Sequence, residues 1–178
     1  QIGYIFMGIG LGTDIGIVAA IFQILAHALT KPLLFLSAGM LSEICGHEKE
    51  MYHLRGAAWR DKLAGVCFTL GGLSMIGIPL LAGFNVKYLL AQASLQNTVK
   101  MWIALLALAA SSVLNALYYV PAILALWTPV SQAEQTPPPK NTGYRVAAPV
   151  LSALVLFLGF NSKPIVRIIE LGLSLLKI

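Results

Sequence analysis

Gln23, His27 and Lys31 recur at four-residue intervals along one apolar stretch, and Lys87 stands in another. An ammonium at membrane depth costs roughly 2.5–3.5 kcal/mol on insertion scales, so it faces a bundle interior or water and often marks an ion pathway. At about 100° per residue, Gln23, His27, Thr30, Lys31 and Ser37 fall within an arc of about 120°, and the other faces are apolar. Groups at i, i+4 and i+8 lie about 6 Å apart along a helix axis, near enough to be joined by single waters. The chemistry this offers is a proton relay: an amide that donates and accepts, an imidazole that titrates near neutrality, and an amine that releases its proton more readily once desolvated. An arginine would stay charged. The competing reading is a polar stripe that joins helices through hydrogen bonds. The relay is preferred because an ammonium is a costly group to use for that purpose alone.

Pro32 follows Lys31, so one backbone hydrogen bond is missing there and the Ala28 carbonyl is released beside the amine. A kink is expected. Lys87 ends the segment GIPLLAGFNVK, in which Gly77, Pro79 and Gly83 interrupt the helical pattern. A broken helix at membrane depth is tolerated only where protein or water covers the freed backbone, and transporters build ion sites at such breaks. Gly83, Ala91 and Ser94 share a helical face with Lys87, whereas Asn85, Tyr88 and Gln92 lie on the other side. The alternative for Lys87 is snorkelling from a helix end to the headgroups.

Ser111, Asn115 and Tyr118, at i, i+4 and i+7, form a further stripe that either lines a wet path or hydrogen-bonds neighbouring helices; helix packing is favoured. Gly8, Gly12 and Gly16 have small-xxx-small spacing, but the Thr13–Asp14 turn interrupts it. No GxSxG or HExxH occurs, and the glycines around Gly10 miss the GxGxxG spacing, so no soluble-enzyme site is indicated. Cys45 and Cys67 stand alone, which indicates neither a disulfide framework nor a metal or haem site. Metal and cofactor are expected to be none.

The elements that position these residues are membrane helices. Of the 178 residues, 58% are hydrophobic and 11% charged, and a mean hydropathy of +0.81 lies outside the soluble range. The net charge of +5 is assigned to lipid headgroups, loops and the two apolar-embedded lysines, and not to nucleic acid. Apolar runs give segments over Gln1 to Leu11, Ile15 to Leu41, Leu63 to Ile78, Phe84 to Leu95, Met101 to Trp127, Tyr144 to Phe160 and Lys163 to Ile178. Asp14 is the expected N-cap of the second. Ser42 to Lys62, with His47, His53, Arg55 and Arg60, reads as a solvated loop at the membrane edge. The expected fold is therefore all-α, a polytopic bundle with one discontinuous helix. It divides into a bundle over 1–128, a polar Pro-rich connection over 129–143 with Pro137, Pro138 and Pro139, and 144–178, a membrane helix followed by an amphipathic or interfacial one. The chain opens within an apolar run, which is read as a fragment lacking its amino-terminal part.

AHALTKPLLFLSAG from Ala26, GIPLLAGFNVK from Gly77 and QIGYIFMGIG at the start resemble, in order and spacing, the carboxy-terminal half of the antiporter-like membrane subunits. These occur in NADH:quinone oxidoreductase (complex I), in formate-hydrogenlyase-type hydrogenases and in Mrp-type sodium/proton antiporters. The resemblance extends from Gln1 to about Trp127 and implies half of an inverted-repeat fold. It gives His27 and Lys31 a place in a hydrated central axis and Lys87, a glutamate in some members, a place on the broken helix of the outlet half-channel. The chain departs from the pattern at Asn85, where serine is common before the lysine, and at Pro121, where a basic residue is common.

The resemblance implies a proton- or cation-translocating subunit in a prokaryotic cell membrane, partnered by other membrane subunits and by lipid, and passing protons or sodium ions. Electron transfer elsewhere in the complex would bias Lys31 and Lys87. No redox centre is expected in this chain. Its rivals are an Mrp-type antiporter subunit, a structural scaffold whose stripes only pack helices, and a secondary transporter with a substrate pocket at the helix break.

Overall fold

In the computed structural model, which describes residues 1–47, 50–129 and 142–175, all regular structure is helical. The helices are α1 (Ile2–Gly10), α2 (Asp14–Ile44), α3 (Ala57–Arg60), α4 (Lys62–Ile76), α5 (Ala82–Gln96), α6 (Met101–Trp127), α7 (Thr142–Phe160) and α8 (Ser162–Leu175). Three stretches, Asp14–Ile44, Met101–Trp127 and Gly143–Phe160, are long and apolar enough to cross a membrane. The chain is an integral membrane protein. Residues 130–141, most of the Pro-rich connection, and residues 48–49 and 176–178 lie outside the described residues.

Helix α2 is the axis of the bundle, with α1, α4, α5 and α7 packed around it. Its Phe22 and Leu33 are fully buried, as are Val86 and Leu90 of α5 and Val155 of α7. Small residues bring α1 onto α2: a Cβ at Gly8 would meet the Gly16 carbonyl, and one at Gly16 the Gly8 carbonyl. The glycine spacing thus serves an intramolecular hairpin. Thr13, and not Asp14, caps α2; its Oγ1 accepts from Gly16 N at 3.1 Å while Asp14 occupies the first helical position. Threonine takes this role because its backbone is extended there, with φ −118° and ψ 150°, which aims the hydroxyl at the freed N–H groups.

The stretch from Ser42 to Lys62 is less solvated than its charges suggest. Gly56, Ala57, Ala58 and Asp61 are buried, and Gly56 N donates to Ala125 O at 3.1 Å. Trp59 Nε1 donates to Trp127 O at 2.8 Å, and Trp127 Nε1 to Thr69 Oγ1 at 2.9 Å, so α3 is fastened to the end of α6 and to α4. Asp61 then caps α4, its Oδ1 accepting from Ala64 N at 3.1 Å. His53 and Arg55 remain exposed.

Helix α2 continues through Pro32. The break falls between α4 and α5. Gly77 terminates α4 at φ 91°, with Ile78 N on Leu73 O at 3.1 Å and Gly77 N on Ser74 O at 3.1 Å, the paired bonds of a left-handed glycine stop. Leu80 is also left-handed at φ 75°, a conformation a branched residue adopts only when its surroundings hold it. Part of that hold comes from α7, where a Cβ at Gly159 would collide with the Leu80 carbonyl.

Candidate functional site

Two polar places flank the break. At the first, Gln23, His27 and Thr30 of α2 meet Ser74 and Met75 of α4 and Gly83 of α5 around a small cavity of about 10 Å³ that Gln1 also lines. Gln23 is 3% exposed, and its Nε2 donates to Gln1 Oε1 at 2.9 Å and to Gln1 O at 3.2 Å. Thr30 Oγ1 returns its proton to Ala26 O at 2.7 Å. Ser37, the last member of the predicted stripe, likewise bonds its own helix, to Leu33 O at 2.5 Å. Nδ1 of His27 is buried without a hydrogen-bond partner among the described residues.

The second place belongs to Lys87. Its Nζ donates to Ile76 O at 2.5 Å and to Ser112 Oγ at 2.8 Å, and stands 5.8 Å from the centre of the Tyr4 ring. Ser112 passes its own proton to Leu108 O at 2.8 Å. The amine therefore turns toward α4, α6 and α1. Neither hydrogen-bond partner is a carboxylate. The ammonium is satisfied by a carbonyl that the end of α4 leaves free, a hydroxyl, and the face of an aromatic ring.

Lys31 sits apart from both places. It is half-buried, with Nζ 5.3 Å from the centre of the Phe35 ring, which is itself 70% exposed. It does not line the cavity that holds His27. The i, i+4, i+8 stripe is thus shared between an inward end, Gln23 to Thr30, and an outward-leaning Lys31. Of the stripe on α6, Ser111 Oγ lies 2.6 Å from Tyr4 OH and Asn115 is half-buried, whereas Tyr118 is 70% exposed. Tyr119 is the tyrosine that turns inward, its ring edge-on to that of Tyr118 at 5.0 Å.

Pro79 is exposed in the break, and Gly83 is fitted against Ser74: a Cβ there would fall on the Ser74 carbonyl. Gly83 N donates to Ser74 Oγ at 3.2 Å. Leu81, at the N-cap of α5, has no side-chain oxygen, so the hydroxyl of α4 supplies the cap that α5 lacks. Asn85 Nδ2 reaches Gly159 O at 2.7 Å and so ties the break to α7. Tyr4, Ser74 and Ser112 are the site residues that spacing alone does not reveal. Tyr4 is a solitary polar group in an apolar helix, Ser74 follows Thr69 by five residues and so falls in no stripe, and Ser112 is masked by its neighbour Ser111.

Residues 1–115 match the transmembrane family of the NADH:quinone oxidoreductase and Mrp antiporter subunits. The chain is 32% identical over 187 residues to NADH-quinone oxidoreductase subunit N of Desulforudis audaxviator, covering 97% of this chain and 37% of that protein. It is 37% identical over 106 residues to an antiporter subunit of Staphylococcus aureus, MnhD2, covering 60% of this chain and 21% of that one. Among solved structures, the Mrp complex from Dietzia sp. matches with a TM-score of 0.70 and 25% identity, over 94% of this chain and 39% of the other. The chain spans well under half the length of each of these relatives.

Proposed function

The chain belongs to the NADH:quinone oxidoreductase/Mrp antiporter transmembrane family, and from that premise we propose that it is the second half-channel of a proton- or cation-translocating membrane subunit. The observation that carries the proposal is the Lys87 amine, turned into the bundle at a helix break and held by Ile76 O and Ser112 Oγ instead of by an acid. An ammonium without a fixed counter-charge exchanges its proton more easily than one locked in an ion pair, because no carboxylate holds the charged form in place. His27, with a buried Nδ1 that has no hydrogen-bond partner among the described residues and a cavity beside it, is the imidazole through which a proton reaches the break. Lys31 takes the exchange position on the outward side of α2.

Residues 1–128 form the translocating bundle, 129–143 the connection and 144–178 the closing helices. Other membrane subunits of a multisubunit complex are the partners, and a prokaryotic cell membrane is the setting. Both family branches fit equally: a subunit coupled to electron transfer, as the likeness to subunit N suggests, and an Mrp-type sodium/proton antiporter, as the likeness to the Mrp complex suggests.

The test uses the full-length protein in its parent complex, reconstituted into vesicles carrying pH-sensitive and sodium-sensitive dyes. Lys31→Ala and Lys87→Ala are each expected to lower ion movement while leaving assembly intact. Unchanged movement in both refutes the assignment. Sodium movement that survives a protonophore identifies the antiporter branch.

A further inference from the structure

Among the described residues, six hydroxyl groups return their proton to the carbonyl four residues earlier: Thr30 to Ala26, Ser37 to Leu33, Thr69 to Gly65, Ser94 to Leu90, Ser112 to Leu108 and Thr128 to Leu124. Ser74 does something else. It is 2% exposed in the last turn of α4, and its Oγ accepts from Gly83 N across the break. An amide N–H only donates, so the serine's own proton remains to be placed, and the hydroxyl keeps a second lone pair. The cavity that Ser74 lines also receives His27, whose buried Nδ1 has no partner among the described residues, and Gln23. Its volume of about 10 Å³ is the space of about one water, and three polar neighbours are what a buried water needs.

We propose that this cavity binds one water between His27 and Ser74, and that through it Ser74 reports the protonation state of His27 to the start of α5. The inference rests on the transport reading above and deepens it. With Nδ1 unprotonated, the Ser74 O–H donates to the water and the water donates to Nδ1. When the imidazole takes up a proton at Nδ1, it becomes a donor there, so the water accepts from it and turns one of its own protons toward Ser74 Oγ. The serine proton must then swing away, and the Leu70 carbonyl, four residues back on α4, is the acceptor such hydroxyls find elsewhere in this chain. No bond beyond the hydrogen bonds is made or broken, and the proton count on Ser74 is unchanged. What changes is the hydroxyl's orientation toward Gly83 N, the cap of the helix that carries Lys87. The charged groups beside the imidazole are Lys31, on the same helix and outside the cavity lining, and the α-amino group of Gln1, a residue that lines the cavity before the start of α1. Ser74 is thus a positioning residue. It couples α2 to the break without itself carrying the transported charge.

The experiment uses the full-length subunit in its complex. Ser74→Ala is expected to lower ion movement about tenfold, the effect of one lost hydrogen bond on a rate-limiting state, and Ser74→Thr to restore most of it. A serine that only caps α5 through Gly83 N would also be rescued by threonine, so the pH profile separates the two roles: loss of a cap lowers transport by the same factor at every pH, whereas loss of a serine that reads His27 changes the profile across the histidine's titration. Parental transport in Ser74→Ala, or equal impairment of both variants with assembly intact, overturns the proposal. A cryo-EM map of the parental complex that shows ordered waters decides independently of any variant's folding: one water within hydrogen-bonding reach of both His27 Nδ1 and Ser74 Oγ is expected, and no such density overturns it. If Lys31→Ala and Lys87→Ala both transport normally, the transport reading fails by itself, and the map still decides the water site.

Discussion

The Lys87 ammonium closes the C-terminal end of α4 by donating to the Ile76 carbonyl at 2.5 Å, while Ser74 of α4 caps the start of α5 through Gly83 N. Each half-helix thus satisfies a terminal group of the other. The last carbonyls of a helix carry partial negative charge, so the amine gains from the α4 dipole as well as from the hydrogen bond. The break is held together by the same group that is proposed to move protons.

That dual role separates two substitutions of Lys87. Lys87→Gln keeps an N–H for Ile76 O but has no proton to exchange, so the complex is expected to assemble at parental yield while transport falls by about a hundredfold, the low end of acid–base effects. Lys87→Glu retains an exchangeable proton, which must sit on the carboxyl to face a carbonyl at the negative end of α4. Measurable transport is therefore expected from the glutamate variant and not from the glutamine one. Proton uptake by vesicles checks both; equal inactivity at matched assembly refutes the role given to the proton on Lys87.

Gly83 is the second fixed point of the break. A Cβ at this position would land on the Ser74 carbonyl, and relieving the overlap means separating the two half-helices. Gly83→Ala is expected to destabilise by about 1–3 kcal/mol, as overpacking does elsewhere. Gly39→Ala, also within a helix and with nothing within 4 Å of its Cβ, is the matched control and should be neutral or slightly stabilising. Thermal unfolding of the purified complex compares them, and equal midpoints for the two would contradict the tight approach.

The all-helical membrane bundle and the position of the break were legible because long apolar runs and the Gly77, Pro79, Gly83 cluster act over short distances in sequence. The surroundings of Lys87 were not legible. One of its partners is the backbone carbonyl of Ile76, which no residue type announces, and the other, Ser112, lies one position from the Ser111, Asn115 and Tyr118 stripe that the period selected. A one-residue step on a helix turns a side chain by about 100°, enough to exchange an inward residue for an outward one. Tyr118 and Tyr119 show the same exchange. Thr13 took the cap expected of Asp14 because backbone conformation, which both residue types tolerate equally on paper, decided between neighbours.

The indole pair at the far end of α6 fastens the α2–α4 connection. Trp59 donates to the Trp127 carbonyl, Trp127 donates to Thr69, and the rings meet edge-on at 5.4 Å. Thr69→Val and Trp127→Phe each remove one side of the same bond and should each cost about 1 kcal/mol. The double variant should cost little more than either, because the bond is lost only once. Limited proteolysis in the connection between α2 and α3 reads the loosening. Additive effects would mean that the two side chains act separately.

Asn85 links the break to α7. Its Nδ2 reaches Gly159 O at 2.7 Å and lies 3.4 Å from Leu158 O, carbonyls near the end of α7 that would otherwise lack a donor. A serine side chain is one heavy atom shorter and does not reach across that gap. Asn85→Ser should therefore weaken the α5–α7 junction about as much as Asn85→Ala, by about 1 kcal/mol. Gln at this position keeps the amide and should recover part of the loss. Hydrogen exchange over residues 157–162 measures the junction: faster exchange in both the serine and the alanine variants is the expected result. Parental exchange in the serine variant would show that the hydroxyl finds the same carbonyl and that the asparagine is no special tie.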